Sequence, residues 1–295
     1  MRSGQVIIGF ADYCESTYMS TKPGGNVSKF FGIAMVAAAL LISACASGKS
    51  IKQGYESFSV SESKYFEALS FQDDGQYFEA IQAWAELLKD EPRFAQGHFN
   101  LALIYDQLNM VPEAIEHYEL AITSAERTNK PDGSNDQPEE NQADTRASIA
   151  LYNLHLGAAY LRSGLVEEGL DSLLKSLEID QFNPTVHYNL SAAYLARSNF
   201  DDALTHADIA VDLYAKPDSK RTDGLSPDVD RKRLGAYLLR QARCHVAREE
   251  WDKAKATLDR AKEQCDFDTP SDMALKIKAA EEAAAKAEAE ESSEG

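Results

Sequence analysis

The sequence predicts an all-α fold, a superhelical solenoid of five repeated helical units closed at the C-terminal end by a capping helix. Three observations carry this. A seven-residue block recurs at a spacing of 34 along the 295-residue chain. Small and bulky side chains recur at fixed positions inside those units, as interlocking helices require. After the last unit, Thr269-Pro270-Ser271-Asp272 reads as a fresh helix start, with Thr or Ser as cap and Pro tolerated in the first turn.

In chain order, the first element is a presequence over residues 1–44. Phe30 to Ala44 is an uncharged apolar run, FFGIAMVAAALLISA, preceded by Lys22 and Lys29 and followed at once by Cys45. A spanning helix needs about 20 apolar residues, so this run is too short, and it fits the h-region of a secretory signal. Ile42-Ser43-Ala44-Cys45 resembles the lipobox of bacterial lipoproteins, and that resemblance implies lipidation of Cys45 after cleavage before it. Ala46 then resembles an outer-membrane sorting residue. An uncleaved buried or anchoring helix is the competing reading. Asp12, Cys14 and Glu15 make the preceding stretch too long and too acidic for a signal, so translation is expected to begin at Met19. Residues 45–60 are a linker.

The repeats follow. Gly75 to Ile81 (GQYFEAI) steps by 34 to Asn109 to Ile115 (NMVPEAI). Gly164 to Leu170 (GLVEEGL) steps by 34 to Ser198 to Leu204 (SNFDDAL), and Glu249 to Lys255 (EEWDKAK) is a fifth copy. The windows are 61–94 and 95–128, then 150–183 and 184–217, then 235–268. Repeat position 8 is Ala68, Ala102, Gly157, Ser191 and Ala242, and position 20 is Ala80, Ala114, Gly169, Ala203 and Ala254. A large side chain at either would overpack the closest helix approach by about 1–3 kcal/mol. Position 11 is Phe71, Tyr105, Tyr160, Tyr194 and His245, and position 17 is Tyr77, Val111, Val166, Phe200 and Trp251. This pattern resembles the tetratricopeptide repeat family, whose unit is a 34-residue antiparallel helix pair. The proline expected late in the second helix stands only at Pro92, and Gln241 replaces the leucine of Leu101, Leu156 and Leu190.

Two inserts interrupt the register. Residues 129–149 and 218–234, rich in Pro, Gly, Asp and Asn at their centres, are expected as exposed loops whose last residues extend the next helix. They are either part of a binding face or tolerated loop growth. Residues 269–295 form the cap and an acidic tail. Met273, Ala274 and Ile277 are expected to cover the open end of the solenoid, and the Ala/Glu-rich stretch from Ala279 to fray in solvent.

Composition limits the function classes. The formal net charge is −18 with a pI near 4.7, which argues against nucleic acid and against adsorption to anionic lipid through the protein surface. Four cysteines are too few for a disulfide scaffold, and Cys244 and Cys265, at repeat positions 10 and 31, are expected too far apart to bridge. The six histidines show no His-Glu-x-x-His spacing, and no phosphate-binding glycine loop or nucleophile elbow occurs. The expectation is a non-enzymatic protein with no cofactor and no metal. His98 and His187, both at repeat position 4, are expected to be packing residues.

The resemblance implies that the first helix of each pair lines a concave groove through positions 2, 5, 6, 9, 12 and 13. Carried over residue by residue, this gives Tyr65, Phe66 and Leu69 in repeat one, and Gln96, Phe99, Asn100, Leu103 and Asp106 in repeat two. Repeat three gives Leu151, Leu154, His155 and Arg162, repeat four Tyr188, Asn189 and Leu195, and repeat five Leu239, Arg240, Arg243 and Val246. The groove so drawn is apolar and aromatic. Asn100 and Asn189 share position 6, where the family uses Asn to bond a peptide backbone, and an ordinary solvated helix Asn is the equal alternative. Arg162, Arg240 and Arg243 are able to pair with a carboxylate, but Tyr65 and Leu69 stand where a chaperone-tail clamp would need Lys and Asn. The ligand expected is an apolar peptide or amphipathic helix of a protein partner. The whole reads as an outer-membrane lipoprotein facing the periplasm, a scaffold in assembly of a pilus, secretion or other envelope complex. An adaptor of a cell-wall enzyme and a cytosolic scaffold with an unprocessed signal are the alternatives.

Overall fold

The computed structural model describes residues 62–128, 139–215 and 231–294, and all their regular elements are helices. Repeat one is α1 (Glu62–Asp73) and α2 (Tyr77–Asp90), and repeat two α3 (Ala95–Gln107) and α4 (Val111–Thr128). Repeat three is α5 (Glu139–Arg162) and α6 (Val166–Ile179), repeat four α7 (Pro184–Ala196) and α8 (Phe200–Ala215), and repeat five α9 (Arg231–Ala247) and α10 (Trp251–Cys265). Helix α11 (Ser271–Glu294) closes the array. Cys45 and the presequence lie outside the described residues. Among the described residues no helix is long and apolar enough to cross a membrane.

The turn inside every pair has one construction. Repeat position 15 adopts a left-handed backbone in all five copies: Gly75 (φ 71°), Asn109 (57°), Gly164 (77°), Ser198 (59°) and Glu249 (60°). The next residue's N–H then reaches back to the carbonyl of position 11, as Gln76 to Phe71 at 2.8 Å and Glu250 to His245 at 2.9 Å. This closure satisfies a carbonyl that the end of the first helix would leave open. Acidic residues open the second helices (Glu79, Glu113, Glu167, Asp201, Asp252), where they complement the positive end of the helix dipole. Helix α7 is started by Asn183, whose side chain accepts from Thr185 N–H at 3.0 Å, with Pro184 in the first turn.

Packing follows the columns of small residues. Ala68, Ala80, Ala102, Ala114, Ala203, Ala242 and Ala254 have no exposed surface. In repeat three both small positions are glycine, and the helices touch backbone to backbone. A Cβ on Gly157 would sit 2.7 Å from Leu173 Cγ and 3.0 Å from the Gly169 carbonyl oxygen. The large residues fill the spaces between: Trp84, Tyr118, Tyr214 and Tyr237 are fully buried, and Trp84 Nε1 donates to Gln72 Oε1 at 3.2 Å. Cys244 and Cys265 are free, buried thiols.

Helix α5 begins at Glu139 and α9 at Arg231, so the last residues of each insert extend the next helix. Two expectations change here. The acidic tail is helical too, because α11 runs without a break to Glu294. Alanine has the lowest helix cost, and Lys278–Glu282 and Lys286–Glu290 pairs one turn apart add support. Lys255 on α10 also binds Glu281 at 2.7 Å. The cap itself rests on Met273 and Ile277, buried against Ala242, Val246, Ala254 and Leu258, whereas Ala274 faces out.

Candidate peptide-binding face

The first helices of successive pairs lie side by side: α5 touches α7, and α7 touches α9. The face they share is where the candidate residues fall, and it is more polar than the sequence suggests. Phe99 and Leu154 are core residues, each 5% exposed. The Phe99 ring lies tilted 4.6 Å from that of Tyr152 and meets His155 edge-on at 5.3 Å, and Leu154 packs with Leu170, Leu173 and Val186. Neither forms a groove surface, because an apolar side chain at this position gains more from the next repeat than from an absent ligand. Tyr65 and Leu69 are half-buried in the first cluster, Tyr65 against Trp84 and Phe94, while Phe66 stands 59% exposed. Leu103, His155, Tyr188, Leu195 and Arg243 are half-buried.

The polar residues of this face form a series. Asn100 is 5% exposed and Asn189 1%, so neither is a solvated helix residue. Tyr152 Oη donates to Gln96 Oε1 at 3.3 Å, and Gln96 Nε2 donates to Asn100 Oδ1 at 3.2 Å, which leaves Asn100 Nδ2 without a partner. Both amide atoms of Asn189 are buried and unpaired. His155, at the same repeat position, is held neutral because burial lowers its pKa to about 4. Arg162 pairs with Asp106 across repeats two and three, so its guanidinium is already engaged. Arg240 is 6% exposed, and its guanidinium lies 4.6 Å over the ring of Tyr188.

Two further constellations stand between the helices of repeats two and four. His98 Nδ1 lies 3.1 Å from His117 Nδ1, and His187 Nδ1 lies 2.9 Å from His206 Nδ1. The ring centroids are 5.3 and 5.1 Å apart, about the N···N gap plus two ring radii, so the rings meet through their Nδ1 edges. Tyr105 stacks on His117 and Tyr194 on His206. The outer nitrogens, His98 Nε2 and His187 Nε2, face the Pro92 and Gln181 carbonyls at 3.2 and 3.1 Å. A carbonyl only accepts, which assigns the Nε2 protons, so the neighbouring Nδ1 accepts and His117 or His206 donates. Burial lowers the pKa of all four, that of His206 to about 4. The signal was legible, since both partners follow at the same spacing of 19. Among the described residues no group of three His, Cys, Asp or Glu could hold a metal ion.

Residues 65–132 and 236–265 match family models described as tetratricopeptide repeat. A curated relative is the probable UDP-N-acetylglucosamine–peptide N-acetylglucosaminyltransferase SPINDLY of Hordeum vulgare, 26% identical over 127 residues. That match takes 43% of this chain and spans only 12% of the relative's length. Among solved structures, MamA (residues 41 to end) from Desulfovibrio magneticus RS-1 is 12% identical with a TM-score of 0.53, over 70% of this chain and 96% of that one. BtubC from P. vanneervenii is 19% identical with a TM-score of 0.54, over 68% and 78%. At these identities the likeness is one of fold.

Proposed function

The chain is a tetratricopeptide-repeat protein, and on that premise we propose that it is a non-enzymatic scaffold holding an extended peptide of a protein partner on the face of α3, α5, α7 and α9. The observation that carries this is the pair Asn100 and Asn189. They share one repeat position, are buried, and keep amide groups with nothing to bond. A buried amide without a partner costs roughly 1–3 kcal/mol. A peptide backbone supplies the acceptor that Asn100 Nδ2 lacks and both the donor and the acceptor that Asn189 lacks. Asn189→Ala tests the reading by uncoupling two quantities. Stability should be unchanged or raised, while recovery of a crosslinked partner should fall at least tenfold. Unchanged recovery would remove the face from consideration.

The setting we propose is the periplasmic side of the bacterial outer membrane, with the protein held by lipid on Cys45 and serving assembly of a pilus, secretion or other envelope complex. Support comes from the apolar run of residues 30–44 ending at Cys45. More than one acyl chain is needed for stable anchoring, at about 0.8 kcal/mol per buried methylene. Intact mass of the membrane-extracted protein tests this: the expected product begins at an acylated Cys45, and one retaining residues 30–44 refutes it.

A further inference from the structure

The two histidine pairs are built alike in alternate repeats. His98 and His187 stand at repeat position 4, and His117 and His206 at position 23. The remaining repeats hold Lys64 and Ala83, Asn153 and Ser172, and Leu238 and Thr257 there. Each pair ties together three pieces of chain: the turn entering the repeat, through the Pro92 or Gln181 carbonyl, then the first helix, then the second. His98 and His187 are buried, and His117 and His206 are half-buried.

A pair accepts one proton and survives. The outer ring, His117 or His206, takes it at Nε2 and keeps its Nδ1–H on the partner. The inner ring cannot follow, because its Nε2 already donates to the carbonyl and a proton on Nδ1 would set N–H against N–H. The charged groups acting on the rings are Glu116 on α4, Asp180 in the turn before α7 and Asp202 on α8. All three favour protonation, and burial opposes them as the larger influence. Tyr105 and Tyr194, stacked on the outer rings, carry no charge in the acid range.

Separated and in water, both rings of a pair titrate near 6.5. Opening of repeat two or four therefore takes up close to two histidine protons in acid, a limiting slope of roughly 100-fold per pH unit in the opening equilibrium. Repeat one has no histidine, and repeats three and five have one each, His155 and His245. Contacts in a solenoid run only between neighbours, so single repeats can open locally. The helices that would part, α3 and α7, also carry Asn100 and Asn189, two residues beyond His98 and His187.

We propose that repeats two and four are proton-driven joints: in acid their histidine pairs come apart, α3 leaves α4 and α7 leaves α8 ahead of the other repeats, and a bound peptide is let go. The opening stands on the pairs alone, whereas the release rests on the peptide-binding reading above.

Hydrogen exchange of the full protein, read by mass spectrometry at pH 7.0 and 5.0 and corrected for intrinsic exchange, tests the opening. Opening of α3–α4 and α7–α8 should rise at least tenfold more than that of α1–α2. This arm uses the unaltered protein, and an equal rise in all repeats would overturn the joints. In His206→Asn the excess at α7–α8 should shrink at least threefold while that at α3–α4 stays; an undiminished excess at α7–α8 would also overturn them. Release is read on a 12-residue peptide selected at pH 7.0 from a random phage-displayed library. By fluorescence anisotropy it should dissociate at least tenfold faster at pH 5.0, and the His117→Asn/His206→Asn double variant should lose most of that acceleration. Joints that open while the peptide dissociates at an unchanged rate would overturn the release alone. If no peptide is selected, the peptide-binding reading falls and the release with it, while the exchange result still decides the joints.

Discussion

Replacing His206 by Asn isolates what the histidine pair of repeat four contributes to pH dependence. The Asn amide can still donate to His187 Nδ1, as the His206 ring does at 2.9 Å, but it does not titrate. His206 is lowered from 6.5 to about 4, first by burial, then by His187, with Asp202 opposing. A folded-state pKa below the unfolded one means the unfolded chain takes up the proton first. Stability from the neutral ring is therefore complete above pH 6.5 and is lost as pH falls toward about 4. The acid proton of His206 would go to its Nε2, while one on His187 would have to enter the Nδ1···Nδ1 gap and set N–H against N–H. Each pH unit in that window carries about 1.4 kcal/mol, so two units, pH 6.5 to 4.5, would carry about 2.7 kcal/mol for a fully enclosed ring. His206 is only partly enclosed, and the discounted loss is roughly 2 kcal/mol. Urea unfolding at pH 7.0 and 4.5 measures it. The unaltered protein should lose about 2 kcal/mol more between the two conditions than His206→Asn does. Equal losses in both proteins would refute the enclosure of the His206 ring.

Three other outcomes follow from the packing. Gly157→Ala should destabilise by about 1–3 kcal/mol, because its Cβ would meet Leu173 Cγ at 2.7 Å and the Gly169 carbonyl at 3.0 Å; a raised melting temperature would show that the backbones of α5 and α6 can part. Glu249→Gly should stabilise by about 0.5–1 kcal/mol, since a left-handed side-chain residue (φ 60°) is strained by about 1–2 kcal/mol and glycine returns part of that as chain entropy. Differential scanning calorimetry checks the sign. Met273→Ala should cost about 2–4 kcal/mol, as this 2%-exposed side chain seals the last repeat; an unchanged melting temperature would mean that α11 is not a cap.

Much of the architecture could be read from small residues at positions 8 and 20, because steric exclusion at a helix crossing leaves few alternatives. Ala68 and Ala80 are as buried as that argument requires. The left-handed turn at position 15 was less visible, since glycine marks it only at Gly75 and Gly164, while Asn109, Ser198 and Glu249 adopt it under the pull of the backbone closure. The tail was misread because low hydrophobicity suggested disorder, while its alanine content favours helix. On the candidate face, Asn189 and Arg240 share one repeat position in consecutive repeats. Position alone could not show that Phe99 turns into the core or that Asp106 neutralises Arg162, since both depend on the neighbouring repeat. The histidine pairs carried a signal in their shared spacing of 19, but each is a contact between two helices, which a column of the repeat read one residue at a time does not show.

Helix α9 carries five Lys or Arg and no acid inside a chain of −18, which sets a rule for the kinetics of anion approach. At low salt, where screening is weak, an incoming anion feels the sum of all charges, which is repulsive, whereas at 0.1 M salt that field is largely screened beyond about 10 Å. Only within that range does the local field of Arg240 and its neighbours turn attractive. A long polyanion is turned away before it arrives, whereas a short acidic stretch on a near-neutral protein can cross. Moderate salt should therefore quicken the approach of an acidic ligand even as it loosens the grip, so association and dissociation rates rise together. Most charge-matched encounters behave otherwise, with salt slowing arrival.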